Sequence, residues 1–302
     1  MSSKYGRLLR HAMDSQKCIA VPGAFCGLAG RIAAEKGFPA AYVSGAALTA
    51  SAGVPDIGML TLDHFTSRIK EIVLASGLPL ICDADTGFGE AEMVTRTTVE
   101  YILAGAACLH IEDQVFPKRC GHLKGKSLIP QQDMLEKLDR ALSASKKHSG
   151  GEFLVCARTD ARGVVSFDEA VTRATAYVDA GAEMIFPEGL KTREEFESFS
   201  KAMQGLPKPP YLLANMTEFG QTPYISQADF AKMGYSCVIF PVSTLRSAMK
   251  GVEECLDVLA DPNGTVEPFL PRMFSRQSLY NSLGYTPGEE WMYPDTTTER
   301  KK

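Results

Sequence analysis

Cys120 lies in a short stretch of the sequence that is rich in groups able to move a proton. Lys118 and Arg119 precede it, and Gly121 and His122 follow it. Positive neighbours lower the pKa of a thiol, so Cys120 would exchange a proton readily near neutral pH. The spacing from Cys120 to His122 is too short for a structural zinc site, and no second ligand pair accompanies it. We therefore predict that Cys120 is catalytic and is assisted by His122 and Lys118.

Four acidic residues form a second group with recognisable chemistry. Asp83 and Asp85 close an apolar run and stand two positions apart, so both side chains fall on the same side of a strand. Like charges this close are unfavourable unless a cation or a proton intervenes. Glu112 ends another apolar run, and Asp56 lies in the sequence GVPDIG. The four together predict an oxygen-rich site for Mg²⁺, with Mn²⁺ as a substitute, although Asp83 or Asp85 could simply cap the following turn.

The chain alternates between apolar runs and segments of helical period. The apolar runs have no polar face, which is typical of parallel strands. Between them, Phe167–Ala180 has apolar residues at helical spacing, and Ser166 with Glu169 forms a capping box. This alternation predicts one (β/α)8 barrel domain over residues 1–302, and PGAFCGLAG lacks the spacing of a dinucleotide-binding doubly wound sheet. The predicted strands are CIAVPGA, AAYVSGA, LPLICDAD, AACLHIED, FLVCARTD, AEMIFPE, YLLANM and CVIFPV.

Polar residues follow almost every predicted strand. In a barrel of this type the carboxyl ends of the strands meet at one rim, where catalytic groups collect. One such residue would usually be a loop cap or an ion-pair partner, but their recurrence on most strands predicts a functional site. These residues are Ser44, Gly45, Asp83, Asp85, Glu112, Asp113, Arg158, Asp160, Glu188, Asn215, Thr217 and, after the eighth strand, Arg246.

The composition argues against several classes of protein. A net charge of −4 does not suit a nucleic-acid-binding surface. No apolar run reaches the roughly 20 residues that span a bilayer. The 8 cysteines are too scattered for a disulfide scaffold. We therefore expect a reduced, cytoplasmic enzyme, although the basic residues 1–13 leave a mitochondrial presequence as an alternative.

Several motifs resemble those of the isocitrate lyase/phosphoenolpyruvate mutase superfamily, and the likeness covers nearly the whole chain. KRCGH and HIEDQ are the most specific, and YVSGA, DADTGFG, ARTDA, FPE and NMTEFG accompany them. The chain is most similar to the short lyases of the superfamily that release pyruvate from 2-methylisocitrate or 2,3-dimethylmalate. Full-length isocitrate lyases are longer, and the phosphonate-forming mutases carry a different loop in place of Cys120, Gly121 and His122.

The resemblance implies a role for each residue that matches a family motif. Asp83 and Asp85 would hold magnesium, with Glu112 and Asp56 contacting it through water. Cys120 would be the proton donor, on a gating loop. The residues that would hold or surround the substrate are Ser44, Gly45, Ala46, Gly121, Arg158, Glu188, Asn215, Thr217, Arg246 and Arg276.

Some positions bear on the identity of the substrate. By resemblance, Phe186 and Ile239 stand where isocitrate lyases have larger side chains, so beside Pro241 they are expected to leave room for a methyl group on the carbinol carbon. Two positions depart from the pattern of the 2-methylisocitrate lyases: Ala46 replaces a common glycine, and Leu123 replaces a common polar residue. Leu123 slightly favours 2,3-dimethylmalate, whose far end carries a methyl group.

The resemblance implies metal-assisted cleavage of a 2-hydroxy di- or tricarboxylate to pyruvate plus propionate or succinate. Oxaloacetate hydrolases share the fold and the metal site, and by resemblance they tend to carry Ser at the position of Pro241. Phosphonopyruvate chemistry is a second alternative, which the loop disfavours. A non-catalytic barrel that acts as a scaffold is a third, and it would be expected to lose Asp83, Asp85 or Cys120.

The C-terminal segment PRMFSRQSLYNSLGY is surplus to a closed barrel. Phe274, Leu279, Tyr280 and Leu283 would form an apolar stripe that the barrel cannot cover. We therefore expect a homotetramer in which the helix around Ser275–Leu283 is exchanged between subunits.

Overall fold

The strands form at the predicted apolar runs. The computed structural model describes residues 3–119, 125–220 and 222–294. Each run supplies one strand, because a segment with no polar face is accommodated best where both of its faces are covered. The strands are β1 Ile19–Pro22, β2 Ala41–Val43, β3 Leu80–Asp83, β4 Cys108–Glu112, β5 Leu154–Thr159, β6 Met184–Pro187, β7 Tyr211–Asn215 and β8 Cys237–Phe240.

The strands pair in parallel around a barrel, as predicted. From β2 to β8 each strand pairs with the next one in the sequence, and β8 pairs with β1. A bridge between Gly23 and Tyr42 joins β1 to β2. A Cβ at Gly23 would lie 2.1 Å from the carbonyl oxygen of Pro241, so only glycine lets the ends of β1 and β8 approach this closely. The (β/α)8 barrel is therefore confirmed.

Helices follow the strands and cover the barrel from outside. Half of the predicted capping box is present: the Oγ of Ser166 accepts from the backbone N–H of Glu169 at 3.1 Å, whereas the carboxylate of Glu169 accepts from Nε of Arg173 at 2.8 Å. A 3₁₀ helix spans Glu267–Arg272. The α-helices are α1 Ser3–Ser15, α2 Gly27–Glu35, α3 Gly45–Ser51, α4 Leu62–Ser76, α5 Ala91–Ala104, α6 Gln131–Ser149, α7 Ala161–Val164, α8 Phe167–Asp179, α9 Arg193–Gln204, α10 Gln227–Met233, α11 Ser243–Ala260 and α12 Arg276–Leu283.

The core lies between the strands and the surrounding helices. Cys82, Cys108, Cys156 and Cys237 lie inside β3, β4, β5 and β8 and are fully buried as free thiols. Burial raises the pKa of each of these thiols, so they pack as small apolar side chains. Among the described residues, no helix is both long and apolar enough to cross a bilayer.

The C-terminal helices differ from one another in their contacts. Helix α12 packs on α2 of its own chain, where Ser282 Oγ donates to Glu35 Oε2 at 3.1 Å. Phe274 is exposed as expected, whereas the other members of the predicted stripe are half-buried because of this packing; they are Leu279, Tyr280 and Leu283. Helix α11 instead exposes an apolar stripe, which consists of Met249, Val252, Leu256 and Leu259.

Candidate active site

The carboxyl ends of the strands surround a small polar cavity of about 90 Å³. Because the strands are parallel and in register, the residues that end them reach the same rim. The structure thereby brings together most of the side chains that the sequence predicted. The cavity is lined by Tyr42, Ser44, Ala46, Asp56, Asp83, Lys118, Arg158, Phe186, Glu188, Asn215, Thr217, Ile239, Pro241, Val242 and Arg246.

Asp83 and Asp85 lie together at the end of β3. The backbone N–H groups of Gly45 and Asp85 each donate to one carboxylate oxygen of Asp83, at 3.0 Å. Asp85 has a φ of 46°, a left-handed conformation that is rare for a residue with a side chain and recurs at functional sites. Burial, and then the charge of Asp83, raise the pKa of Asp85 to about 7. The two carboxylates are thus held close at a cost that a bound cation would offset.

Lys118 is the cation that the structure places among these acids. Its Nζ lies 2.8 Å from Oδ1 of Asp85 and contacts Oδ1 of Asp56. Burial lowers the pKa of Lys118, but the carboxylates of Asp85 and Glu112 outweigh it and raise the pKa above its ordinary value. The ammonium group is therefore permanently charged. The position of Lys118 at the acids was not expected, because the sequence suggested it only as a neighbour of Cys120.

The acids also fit a divalent metal ion. Among the residues that the structure describes, no three Asp, Glu, His or Cys side chains converge closely enough to hold an ion. Between Asp56 and Asp85, the ammonium group of Lys118 occupies part of the space. Both carboxylate oxygens of Glu112 are buried and accept no hydrogen bond from the described part of the chain. A Cβ at Gly45 would lie 2.9 Å from Oδ2 of Asp83, so the glycine keeps that oxygen accessible. Carboxylate oxygens with unused lone pairs are the ligands that Mg²⁺ prefers.

Arg158 faces these acids from β5. Its Nη1 lies 3.2 Å from Oε2 of Glu112, and its guanidinium stacks 5.1 Å from the ring centroid of Phe186. Asp160 accepts a hydrogen bond from its Nε at 2.9 Å. Burial lowers the pKa of Arg158, but the charges of Asp160 and Glu112 outweigh it and raise the pKa. A buried, oriented guanidinium beside a metal-binding group of acids is suited to receive a substrate carboxylate.

Sequence reasoning missed a buried Tyr–His pair at the same rim. The hydroxyl of Tyr42 and Nε2 of His110 are 2.7 Å apart, and the two rings are stacked. His110 Nε2 also lies 3.8 Å from Oδ1 of Asp83. Burial lowers the pKa of His110 to about 4, so the imidazole is neutral at pH 7. The two residues lie within the motifs YVSGA and HIEDQ, but they look like ordinary strand residues until the strands are placed side by side.

The wall opposite the acids comes from β6, β7 and β8. Asn215 Nδ2 donates to Glu188 Oε2 at 3.1 Å, which fixes both polar groups. Arg246 Nη1 donates to Glu218 Oε2 at 3.1 Å and to its carbonyl oxygen at 2.7 Å. Sequence reasoning also missed Glu218 as a partner of Arg246, although Glu218 lies in the motif NMTEFG. Ile239 is almost fully buried and gives this wall an apolar surface.

Some predicted residues are not at the cavity. Arg276 is exposed at the start of α12 and does not line the cavity of its own chain. Gly45, Asp85 and Glu112 lie behind the lining residues, in contact with Asp83, Lys118 and Arg158 respectively. Cys120, Gly121, His122 and Leu123 lie outside the described residues, so their predicted roles are neither supported nor opposed by the geometry.

A larger cavity of about 620 Å³ lies beside the site, between the ends of α4 and α5. Its walls are mostly apolar, with Leu62, Phe88 and Met93 among them. Lys137 lines it but already donates to the carbonyl oxygen of Thr86 at 3.0 Å. Asp83 and Arg158 line the smaller cavity and not the larger one, so chemistry, not size, identifies the smaller cavity as the candidate active site.

The family model described as phosphoenolpyruvate phosphomutase matches residues 9–259. A 2-methylisocitrate lyase from Aeropyrum pernix is 45% identical over 93% of this chain and 87% of its own length. The crystal structure of a 2,3-dimethylmalate lyase superposes with a TM-score of 0.83 at 36% identity, covering 93% of this chain and 91% of that one. An oxaloacetate acetylhydrolase in complex with 3,3-difluorooxalacetate superposes with a TM-score of 0.85 at 34% identity, covering 94% of each chain. These matches show that the chain belongs to the phosphoenolpyruvate mutase/isocitrate lyase superfamily.

Proposed function

We propose that the protein is a divalent-metal-dependent carbon–carbon lyase that cleaves 2-methylisocitrate to pyruvate and succinate. The observation that carries this proposal is that Asp83 and Arg158 line one cavity, with Asp85 directly behind them in contact with the lining residue Lys118. That arrangement occurs in a chain 45% identical to a 2-methylisocitrate lyase. Cleavage of 2,3-dimethylmalate to pyruvate and propionate is the second candidate, supported by the likeness to 2,3-dimethylmalate lyase. Mg²⁺ is the metal that the oxygen-only donor set favours, and Mn²⁺ should substitute for it.

The chemistry of the substrate explains why these residues lie together. A divalent ion held by Asp83 and Asp85 would bind the carboxylate and hydroxyl of the 2-hydroxy acid and lower the pKa of that hydroxyl. Arg158 would pair with the same carboxylate and keep it in one orientation. Transfer of the hydroxyl proton to a base lets the C–O bond become a carbonyl as the adjacent C–C bond breaks. The electron pair of the broken bond stays on the carbon α to the carboxylate of the leaving fragment.

We assign protonation of that carbon to Cys120. A thiol whose pKa is near the ambient pH transfers a proton more easily than a hydroxyl does. Lys118 precedes Cys120 by two residues and is fixed at Asp85, so the chain enters the thiol-bearing segment beside the acids. This supports the delivery of Cys120 to the same cavity.

The apolar wall supports a substrate with a methyl group on its carbinol carbon. Phe186 and Ile239 are each 1% exposed and line the cavity. Burial of one methyl group contributes about 0.8 kcal/mol, and a tight pocket extends this to roughly 1–3 kcal/mol of discrimination. The pocket should therefore favour 2-methylated substrates over isocitrate by at least about tenfold in kcat/KM.

Hydrolysis of oxaloacetate is the alternative that the comparisons support by overall shape. Pro241 lines the cavity at the position where, by resemblance, the oxaloacetate hydrolases tend to carry Ser. A proline ring offers no hydroxyl to a substrate, a difference that favours the lyase.

A panel of four substrates tests the proposal. The purified protein is incubated with MgCl₂ and 2-methylisocitrate, 2,3-dimethylmalate, isocitrate or oxaloacetate, and pyruvate, glyoxylate and oxalate are measured separately. We expect pyruvate from the first two, restoration of activity by MnCl₂ after chelation, and little glyoxylate or oxalate. Oxalate from oxaloacetate as the main product would replace this proposal with the hydrolase.

We also propose that the protein is a homotetramer with exchanged C-terminal segments. The exposed apolar stripe of α11 supports association between subunits. Val252 and Leu256 lie on one face of the helix together with the other stripe residues, and they remain 47% and 58% exposed in a single chain. The predicted substrate role of Arg276 depends on such an exchange. Light scattering after size-exclusion chromatography at micromolar concentration should give a tetramer, and a monomer would contradict the proposal.

A further inference from the structure

Asp160 is a buried carboxylate that holds two cations at once. Its Oδ2 accepts from Arg158 Nε at 2.9 Å, and its Oδ1 accepts from Arg158 Nη2 at 3.3 Å. The same Oδ1 accepts from Lys126 Nζ at 2.6 Å. Asp160 is fully buried, and the side chains of Arg158 and Lys126 are 8% and 3% exposed. Water cannot readily replace any of these contacts, so the three groups form one unit.

The position of Asp160 is itself fixed from the outer side of the barrel. Its backbone N–H donates to Oδ1 of Asp113 at 2.9 Å. Asp113 in turn accepts from Thr159 Oγ1 at 2.8 Å and from the hydroxyl of Tyr177, on α8, at 2.9 Å. The carboxylate of Asp160 therefore stands on a rigid support and can set the orientation of its partners.

This orientation decides which edge of Arg158 faces the cavity. With Nε and Nη2 bound to Asp160, Nη1 lies 3.2 Å from Oε2 of Glu112, and Arg158 lines the cavity in this orientation. Glu188 is the other acid nearby, with its Oε2 4.0 Å from Nη2. Without the carboxylate of Asp160, the guanidinium of Arg158 would move toward Glu112 and Glu188. Its N–H groups would then no longer be oriented to bind a ligand carboxylate in the cavity.

Lys126 does not line the cavity but shares an oxygen with Arg158. It lies in a segment that pairs with the end of β4, since Val115 N–H donates to the carbonyl of Ser127 at 2.8 Å. Its Nζ packs against Gly163, where an added Cβ would lie only 3.2 Å away. The ammonium is thus held in one place, and its charge keeps Oδ1 of Asp160 from turning.

We propose that Asp160 is a positioning residue that presents Arg158 to the substrate carboxylate, and that Lys126 acts on the same site through Asp160. The inference rests on the proposed function only in taking Arg158 as the group that binds a carboxylate. No contact between Lys126 and the substrate is required.

Binding of oxalate, a planar dicarboxylate that resembles the enolate of pyruvate, measures this effect without turnover. Oxalate is titrated calorimetrically in MgCl₂ into wild type, Asp160→Asn, Lys126→Met and the double variant. We expect affinity to fall about tenfold for Asp160→Asn and about threefold for Lys126→Met, since small displacements of a binding group have effects of this size or more. The double variant should be no weaker than Asp160→Asn alone, because both changes act through one carboxylate.

A matched control separates this role from general loss of an ion pair close to Asp160 in the chain. Arg162, on α7, pairs with Glu195 outside the barrel at 2.6 Å, and Arg162→Met should leave oxalate affinity unchanged. Wild-type affinity in Lys126→Met, or effects that multiply in the double variant, would overturn the proposal. If Asp160→Asn does not fold, Gly163→Ala, which presses on Lys126, should weaken oxalate binding by about twofold, and unchanged affinity would count against the proposal.

Steady-state kinetics of the same variants gives the second measurement. If Asp160 positions Arg158, its variants should show a larger rise in KM than fall in kcat, whereas a merely destabilised protein loses active enzyme and shows an unchanged KM. Wild-type protein that binds oxalate but cleaves none of the four substrates would reject the proposed function and leave the oxalate test of Asp160 intact. Wild-type protein that does not bind oxalate would remove Arg158 as the carboxylate site, and this inference with it.

Discussion

Glu112 and Asp113 are neighbours in the chain but have opposite surroundings. Glu112 points into the barrel, where Arg158 lies 3.2 Å away and neither carboxylate oxygen accepts a hydrogen bond from any described residue. Asp113 points outward and accepts hydrogen bonds from Thr159, Tyr177 and the backbone of Asp160. Both are fully buried, so exposure does not distinguish them.

The difference shows how a buried acid that serves binding can be told from one that serves the fold. Buried polar groups normally have hydrogen-bond partners, and an acid without them destabilises the folded state. Burial raises the pKa of both carboxyl groups, but hydrogen bonds from Asp160, Thr159 and Tyr177 oppose the rise in Asp113, whereas the pKa of Glu112 stands well above its ordinary value. We call Asp83, Asp85 and Glu112 the inward acids, since Asp83 lines the cavity and the other two contact its lining residues Lys118 and Arg158, and we call Asp113 the outward acid. The inward acids should matter for activity, and the outward acid for stability.

Removal of an inward acid should have the largest effect. Asp85→Ala should abolish measurable turnover, because it would remove a proposed metal ligand. The melting temperature should change little, because Lys118 keeps its contact with Asp56 and the unfavourable approach of Asp85 to Asp83 is lost. Turnover with MgCl₂ and thermal unfolding are measured on the same preparation. Chelation of divalent ions should have the same effect on the wild type, and full activity in chelator would refute the metal assignment.

Cys120→Ser should have the next largest effect. A hydroxyl is a much weaker acid than a thiol, and general acid catalysis is worth roughly 10²–10⁴-fold, so kcat should fall by a factor in that range with KM little changed. Cys26→Ser is a matched control, since Cys26 is half-buried and does not line the cavity. A rate near that of the wild type would mean that another group delivers the proton.

Asp113→Ala tests the outward acid. It would remove the buried carboxylate that lies 3.2 Å from Nη1 of Arg173 and that accepts from the hydroxyl of Tyr177 at 2.9 Å. Loss of one member of a buried pair costs roughly 3 kcal/mol, so the midpoint of urea unfolding should fall clearly below that of Asp85→Ala. Equal stability of the two variants would remove the distinction between inward and outward acids.

Much of this organisation was predictable from the sequence. The strands were predictable because each is a short apolar run that ends at polar residues, and register among parallel strands brings those residues to one rim. Asp83, Asp85 and Arg158 could therefore be assigned to the site before their positions were known.

The rest depended on three-dimensional contacts that spacing does not encode. Tyr42 and His110 are apolar-run residues whose pairing appears only when β2, β3 and β4 are adjacent. The position of Lys118 among the acids depends on a loop path that has no periodicity. The half-buried state of Leu279 could not be predicted either, because it depends on α12 packing against α2.

Phe186→Trp should have the smallest effect. It tests whether the wall of the cavity near the inward acids selects substrates that carry a methyl group. Phe186 lies under Arg158 and edge-on to His110, with ring centroids 5.3 Å apart, so a larger ring must extend into the cavity. We expect the preference for 2-methylated substrates over isocitrate to fall by about tenfold, the size of a one-methyl effect in a tight pocket. Phe240→Trp is the control, since Phe240 is outside the cavity lining. An unchanged preference would place the methyl group elsewhere.

The most direct test of the central claim is the ratio of kcat/KM for pyruvate release from 2-methylisocitrate to that for glyoxylate release from isocitrate, measured on one preparation with MgCl₂. A metal-dependent lyase with a methyl pocket between Phe186 and Ile239 should give a ratio of at least about ten, and chelation should abolish both reactions. Glyoxylate released from isocitrate faster than pyruvate from either methylated substrate would contradict the account.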